Sequence, residues 1–292
     1  MKHTKENGAG ATLRLRITAV LTVLFALGQF ASQSSLAADR DFKAVEIADL
    51  DQPWAMAVLP DGRLLVTEKA GNLLLIDGDG AIQSIGGVPE VAFGGQGGLG
   101  DVVLHPDFAS NQLVYLSFAE AGEGGYGAAV GRAKLELNGA DTILEGLEVI
   151  WRQAPKVEGQ GHYGHRIAFG PDGYLWISSG ERQKFDPAQD MQSNMGKILR
   201  LRDDGSIPAD NPFADQGGVT AQIWSLGHRN PLGMAFDRHG RLWVAEMGPK
   251  DGDELNLVER SANYGYPIVS NGDHYDGREI PDHDQRPDMQ AP

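Results

Sequence analysis

One turn signature recurs along this chain and restricts its architecture more than any other feature. An apolar run is followed by Pro-Asp-Gly or a close relative, and then by an alternating apolar run. It occurs at Ala57–Val66, at Ile167–Ile177 and, with Asp237-Arg238-His239-Gly240 as the turn, at Met234–Val244. A degenerate copy runs from Val102 to Phe108 and continues into Leu113–Leu116. Pro presets such a turn, Asp bonds back to the backbone and Gly supplies a positive φ. The flanks are rich in β-branched and aromatic residues, so each copy predicts a β-hairpin. Hairpins that repeat along a chain predict an all-β propeller. A β-sandwich also uses hairpins but does not need the same one repeatedly. The irregular spacing predicts insertions between blades, among them glycine-rich loops at Gly122–Gly131 and Asp203–Gly218.

Composition fits many short strands joined by turns, with 39 Gly and 15 Pro in 292 residues. The formal charge of -15 argues against a nucleic-acid partner. The absence of cysteine excludes a disulfide framework and a thiol nucleophile. The N-terminus reads as a secretory signal peptide. Lys2, Lys5, Arg14 and Arg16 precede a mostly apolar run from Ile17 to Phe30, and Ser35-Leu36-Ala37-Ala38 offers small residues for cleavage. The domain reading is therefore 1–38 signal peptide and 39–292 propeller, in a periplasmic or secreted protein with no stable membrane span after processing. Processing leaves 21 basic against 39 acidic residues, a charge of -18.

Four stretches carry chemistry. Gly227-His228-Arg229-Asn230-Pro231 separates two apolar runs, which puts an Arg and an Asn at the rim of a sheet. An Arg fork suits carboxylates; a turn with a satisfied Arg is the plain alternative. Gly94–Gly100 carries Gln96 as the one side chain able to hydrogen-bond among glycines. It lacks the strand-to-helix context of a dinucleotide fingerprint. Gly161-His162-Tyr163-Gly164-His165-Arg166 precedes the first strand of the third repeat, where a His can serve as a general base. A zinc pair at His162 and His165 has no third ligand at metal-site spacing. Glu246–Glu254 clusters carboxylates and turn carbonyls, hard ligands suited to Ca²⁺.

In order, these stretches resemble the soluble PQQ-dependent aldose dehydrogenases of the glucose/sorbosone type. The resemblance runs from about Trp54 to Pro267. It rests also on His105-Pro106-Asp107-Phe108, Gly196–Leu201, Asp204–Pro208, Asp253–Leu257 and Asn263-Tyr264-Gly265. It implies a six-bladed propeller, of which this chain covers roughly four blades. It implies oxidation of aldose sugars at the anomeric carbon to lactones, with hydride transfer to PQQ and onward to an external acceptor, a quinone or a redox protein. His162 is then the base. Arg229 and Asn230 bind PQQ, with Arg229 stabilising the developing oxyanion, and Gln96 touches cofactor or sugar. The carbonyls of Gly248 and Pro249 hold the Ca²⁺ that polarises PQQ. Glu254 and the backbone of Tyr264 match a second, structural Ca²⁺ site. Leu232 stands where some members carry Gln. The polar stretch from Val269 to Pro292 carries no strand signal, so the chain is expected to be incomplete at its C-terminus and to lack further basic PQQ ligands. Competing readings are a non-enzymatic propeller binding module and a calcium-dependent propeller lactonase.

Overall fold

A computed structural model describes residues 43–292. The expected signal peptide and its cleavage point lie outside the described residues. Among those described, no helix is long and apolar enough to cross a membrane.

Glu46–Pro292 forms one compact unit built from four antiparallel sheets in a propeller arrangement. The first holds β1 (Pro53–Val58), β2 (Leu64–Glu68), β3 (Asn72–Ile76) and β4 (Ile82–Ile85). The second holds β5 (Leu99–Leu104), β6 (Leu113–Gly122), β7 (Gly125–Glu136) and β8 (Ile143–Arg152). The third holds β9 (Gly164–Phe169), β10 (Leu175–Ser179), β11 (Lys197–Leu201) and β12 (Ile223–Leu226). The fourth holds β13 (Pro231–Phe236), β14 (Leu242–Glu246) and β15 (Glu254–Leu257). Within each sheet the strands pair in sequence order.

The recurring turn signature makes the first hairpin of every sheet. Asp61 Oδ1 accepts the N–H of Arg63, and Asp237 Oδ1 accepts those of His239 and Arg241. In the degenerate copy a helical turn, Phe108–Asn111, joins β5 to β6. The loop expected at Gly122–Gly131 is instead part of the β6–β7 hairpin, with Gly122 paired to Gly125 and Leu116 to Gly131. Its glycines answer to crowding: a Cβ on Gly125 would lie 2.4 Å from the carbonyl oxygen of Val157 in a neighbouring segment. The other expected insertion, Asp203–Gly218, is a connection, but it joins β11 to β12 within the third sheet and does not lie between blades.

The core sits between sheets rather than on one face of each. Leu65, Leu73 and Leu75 of the first sheet pack against Leu116 and Phe118 of the second. Tyr115, Ala119 and Val130 turn the other way, onto Ile167, Ile177 and Leu199 of the third. Trp176 and Ile198 then meet Leu242 and Val244 of the fourth. The interior sheets thus bury both faces, which is why β6 and β10 read as nearly unbroken buried runs. Met56 and Val58 on β1 and Leu255 on β15 stand exposed.

The first strands β1, β5, β9 and β13 neighbour one another around a common axis. Arg166 ties all four together. Its guanidinium stacks 4.1 Å from the Trp54 ring on β1, pairs with Asp101 on β5 at 3.1 Å and donates from Nε to the carbonyl of Leu232 on β13 at 2.7 Å.

Candidate active site

Antiparallel topology sorts the connections to two ends of the unit. The repeated turns join first to second strands at one end. The connections β4–β5, β8–β9 and β12–β13, and those from second to third strands, open at the other. Gln96, His162, Glu181, Arg229 and Pro249 all lie on connections of this second kind.

His162 and Arg229 line one cavity of about 250 Å³, together with Glu181, Pro249 and Tyr266. The ring of His162 is held from one side. Its Nδ1 lies 2.5 Å from Oε1 of Glu181, a fully buried residue. Oε2 of Glu181 accepts the N–H groups of Lys184 and Phe185 at 2.5 and 2.7 Å. A carboxylate so fully occupied by donors leaves the proton on Nδ1 and the lone pair on Nε2. The backbone of His162 sits in the left-handed region, φ 47°, and its N–H donates to Oε1 of Gln96 at 2.7 Å. Gln96 thus supports the base directly, while its side chain also lines an adjoining apolar cavity with Trp54, Lys69, His165, Leu232 and Met247.

Arg229 is 7% exposed. Its main-chain N–H donates to Glu246 Oε2 at 2.6 Å and its Nη1 to the carbonyl of Met247 at 2.8 Å. Glu246 also accepts Nδ1 of His228, whose Nε2 meets Ser225 Oγ at 2.8 Å. That Ser-His-Glu array has the order of a hydrolytic relay, but Ser225 and His228 are fully buried. It braces the Arg229 turn instead of facing a substrate. The Nε of Arg229 and the Nδ2 of Asn230 are buried donors with no partner among the described residues, although Asn230 Oδ1 accepts the N–H of Gly164 at 3.1 Å. Of the two, Arg229 lines the cavity, where an orphaned donor suits a ligand rich in carboxylate or carbonyl oxygens, while Asn230 is fully buried behind it and is not among the lining residues.

The segment Glu246–Glu254 makes a tight loop. Gly248 donates to Asp253 Oδ1 at 3.0 Å, and the carbonyl of Pro249 accepts the N–H of Gly252 at 3.0 Å. Only the free lone pair of that carbonyl remains for a cation. Glu254 lies opposite Glu246 on β14–β15 and accepts from Asn256 at 3.1 Å. Burial, and then the neighbouring Glu246, push its carboxyl up to about 8. A cation would relieve that pair. The carbonyl of Tyr264 is met by His283 Nε2 at 3.1 Å, and its ring stacks on His228 at 4.6 Å. No hydrogen bond joins Glu254 to Tyr264 directly; they meet through Glu246 and His228. Among the described residues, no three His, Asp or Glu side chains converge as a ready metal cluster.

His165 faces away from His162. It is buried, bonded to Ser117 Oγ at 3.1 Å and packed 5.0 Å from Trp54, and burial lowers its pKa to about 3.

Several site residues escaped the sequence reading. Glu181 lies two residues beyond β10, after Ser178-Ser179-Gly180, at the rim that carries His162. Tyr266 comes two residues after Tyr264; burial, and next Glu181, push its phenol up to about 12. The polar stretch from Val269 onward holds no strand, as expected, but folds back on the unit. Val269 and Ile280 are buried, Lys250 pairs with Asp273, and His274, Tyr275 and Arg278 line the cavity beside Arg229.

The family model described as Glucose / Sorbosone dehydrogenase matches residues 50–292. Aldose sugar dehydrogenase YliI of Escherichia coli (strain K12) is 43% identical over 239 residues, covering 80% of this chain and 63% of that protein. Quinoprotein glucose dehydrogenase B of Acinetobacter calcoaceticus is 32% identical over 268 residues, covering 82% of this chain and 55% of that protein. The chain thus spans less than two thirds of the length of either. Among solved structures, a crystal structure of glucose dehydrogenase aligns with a TM-score of 0.79 and 43% identity over 83% of this chain and 71% of that one. The PQQ-bound form of aldose sugar dehydrogenase from Streptomyces coelicolor aligns with a TM-score of 0.70 and 36% identity over 77% of this chain and 66% of that one. On the sequence match and the four-sheet propeller together, the chain belongs to the glucose/sorbosone dehydrogenase family.

Proposed function

We propose that this protein oxidises aldose sugars at the anomeric carbon to lactones, using PQQ and Ca²⁺, in the periplasm or outside the cell. The observation that carries the reading is the shared cavity of the His162–Glu181 dyad and Arg229, whose Nε is a buried donor with no partner among the described residues. PQQ, when bound, supplies the hydride acceptor, and Ca²⁺ polarises it.

The chain's own residues do the rest. Nε2 of His162 takes the proton from the anomeric hydroxyl while Glu181 holds Nδ1–H and stabilises the imidazolium that forms. Arg229 and Asn230 bind the cofactor's oxygens, and the guanidinium offsets negative charge developing there. Gln96 fixes the main chain of His162. The Gly248–Pro249 carbonyls would supply hard oxygen ligands for the calcium beside PQQ, and Glu254 with the Tyr264 backbone those for a second, structural calcium. A six-bladed ring remains the architecture expected of the family, and electrons pass to an external quinone or redox protein.

The test is reconstitution with PQQ and Ca²⁺, followed by aldose-dependent reduction of an external dye. Turnover that requires both additions supports the proposal. Sugar-independent behaviour, or lactone hydrolysis without PQQ, contradicts it.

A further inference from the structure

We propose that Arg182 is a positioning residue for the base, a buried guanidinium around which the His162 loop is wrapped. The inference rests on the reading of His162 as the base. Arg182 is 1% exposed, and its hydrogen-bond partners are all neutral oxygens. Nε donates to the carbonyl of Gly161 at 2.8 Å, Nη2 to that of Gly159 at 2.5 Å and Nη1 to that of Tyr126 at 2.6 Å. The guanidinium lies 3.8 Å from the centre of the Tyr163 ring, and the main-chain N–H donates to the carbonyl of His162 at 3.2 Å. One side chain therefore touches residues 159, 161 and 163, while its backbone takes 162.

A buried cation without an acidic partner is costly, and such a group stays only where its donors are well used. Here they offset a second cost. His162 and Arg182 both hold positive φ, 47° and 64°, as do Gln183 and Phe185 nearby. Non-glycine residues in that region persist only where their surroundings over-determine them. Consecutive residues divide the work: Glu181 fixes the imidazole ring, and Arg182 fixes the main chain that carries it. Without Arg182 the loop relaxes, and Nδ1 and Glu181 lose their alignment.

The experiment compares Arg182→Met, Arg182→Lys and wild type in two ways. In the ¹⁵N-histidine-labelled apoprotein, the His162 Nδ1–H resonance, identified by its loss in His162→Ala, reports the dyad directly. In the reconstituted enzyme, kcat and KM report positioning. Arg182→Met is expected to lose the resonance and to lower kcat roughly 10²-fold, the scale of a small misplacement of reacting groups. KM should change little, and millimolar guanidinium should restore part of kcat. Arg182→Lys, one charge with a shorter reach, should fall between. If Arg182→Met does not fold, Arg182→Lys decides alone through a displaced or broadened resonance. An unchanged resonance in a folded variant overturns the proposal. So does a loss of kcat that follows melting temperature and is not restored by guanidinium. If wild type shows no sugar oxidation while the resonance still depends on Arg182, the reaction assignment fails and the positioning role stands.

Discussion

Nδ1 of His162 and Oε1 of Glu181 lie 2.5 Å apart, and neither side chain is more than 6% exposed. The contact fixes which ring nitrogen is free to accept a proton. Glu181→Gln keeps the shape but presents an amide that no longer enforces that tautomer. Turnover is expected to fall roughly 10²–10⁴-fold, with cofactor affinity nearly unchanged. Steady-state kinetics beside a PQQ titration checks this; a loss confined to affinity would place Glu181 outside the proton transfer.

Gly180 packs against the same loop. A Cβ there would lie 2.1 Å from the carbonyl oxygen of His162, a backbone atom that cannot swing aside. Gly180→Ala should displace the base and cost roughly 10²-fold in turnover. Circular dichroism should show the sheets intact. Wild-type kinetics in this variant would mean that the loop tolerates the shift.

His165 predicts a pH dependence of stability, not of turnover. Its pKa falls from 6.5 to about 3 on folding. Its contribution is therefore complete above 6.5 and is lost as pH falls from 6.5 towards 3, because the unfolded chain binds a proton that the folded one refuses. While one proton separates the states, the slope is about 1.4 kcal/mol per pH unit. Denaturant titrations of His165→Gln between pH 6.5 and 5 should be flatter by that amount. Parallel curves would refute the assignment.

Glu254 predicts the opposite sign. Its carboxyl is raised from 4.5 to about 8 by burial and by Glu246. Without metal, stability contributed by this group falls as pH rises from 4.5 to about 8. Calcium binding there should raise the melting temperature, and more at pH 8 than at pH 5. At about a hundredfold excess over Kd the gain is about 2.7 kcal/mol. Chelation should reverse it, and Glu254→Gln should abolish both effects. An equal calcium response in the variant would remove Glu254 from the site.

The sheets were legible because turn chemistry is local. Pro60-Asp61-Gly62 and Asp237–Gly240 specify their hairpins within a few residues, and the structure places a hairpin at each. Gly122–Gly131 misled because its glycines serve a tight hairpin turn at Gly122–Gly125 and the close approach of a segment some thirty residues away, near Val157, and not a long loop. The same division holds at the cavity. Arg229 and Asn230 stood out between two apolar runs. Glu181 did not, because its meaning lies in a partner 19 residues away. Tyr275 and Arg278 reach the cavity on an irregular stretch fixed by burial of Ile280 and by the Lys250–Asp273 pairing. Neither contact leaves a periodic trace in the sequence.

The proton-accepting role of His162 is the centre of the account. Its most direct measurement is the rate at which an aldose bleaches the PQQ chromophore in a single turnover, for wild type and for His162→Ala carrying the same amount of cofactor. The predicted result is equal cofactor loading with a rate lower by roughly 10²–10⁴-fold in the variant, and a near-normal rate in His165→Ala. Equal rates in wild type and His162→Ala would contradict it.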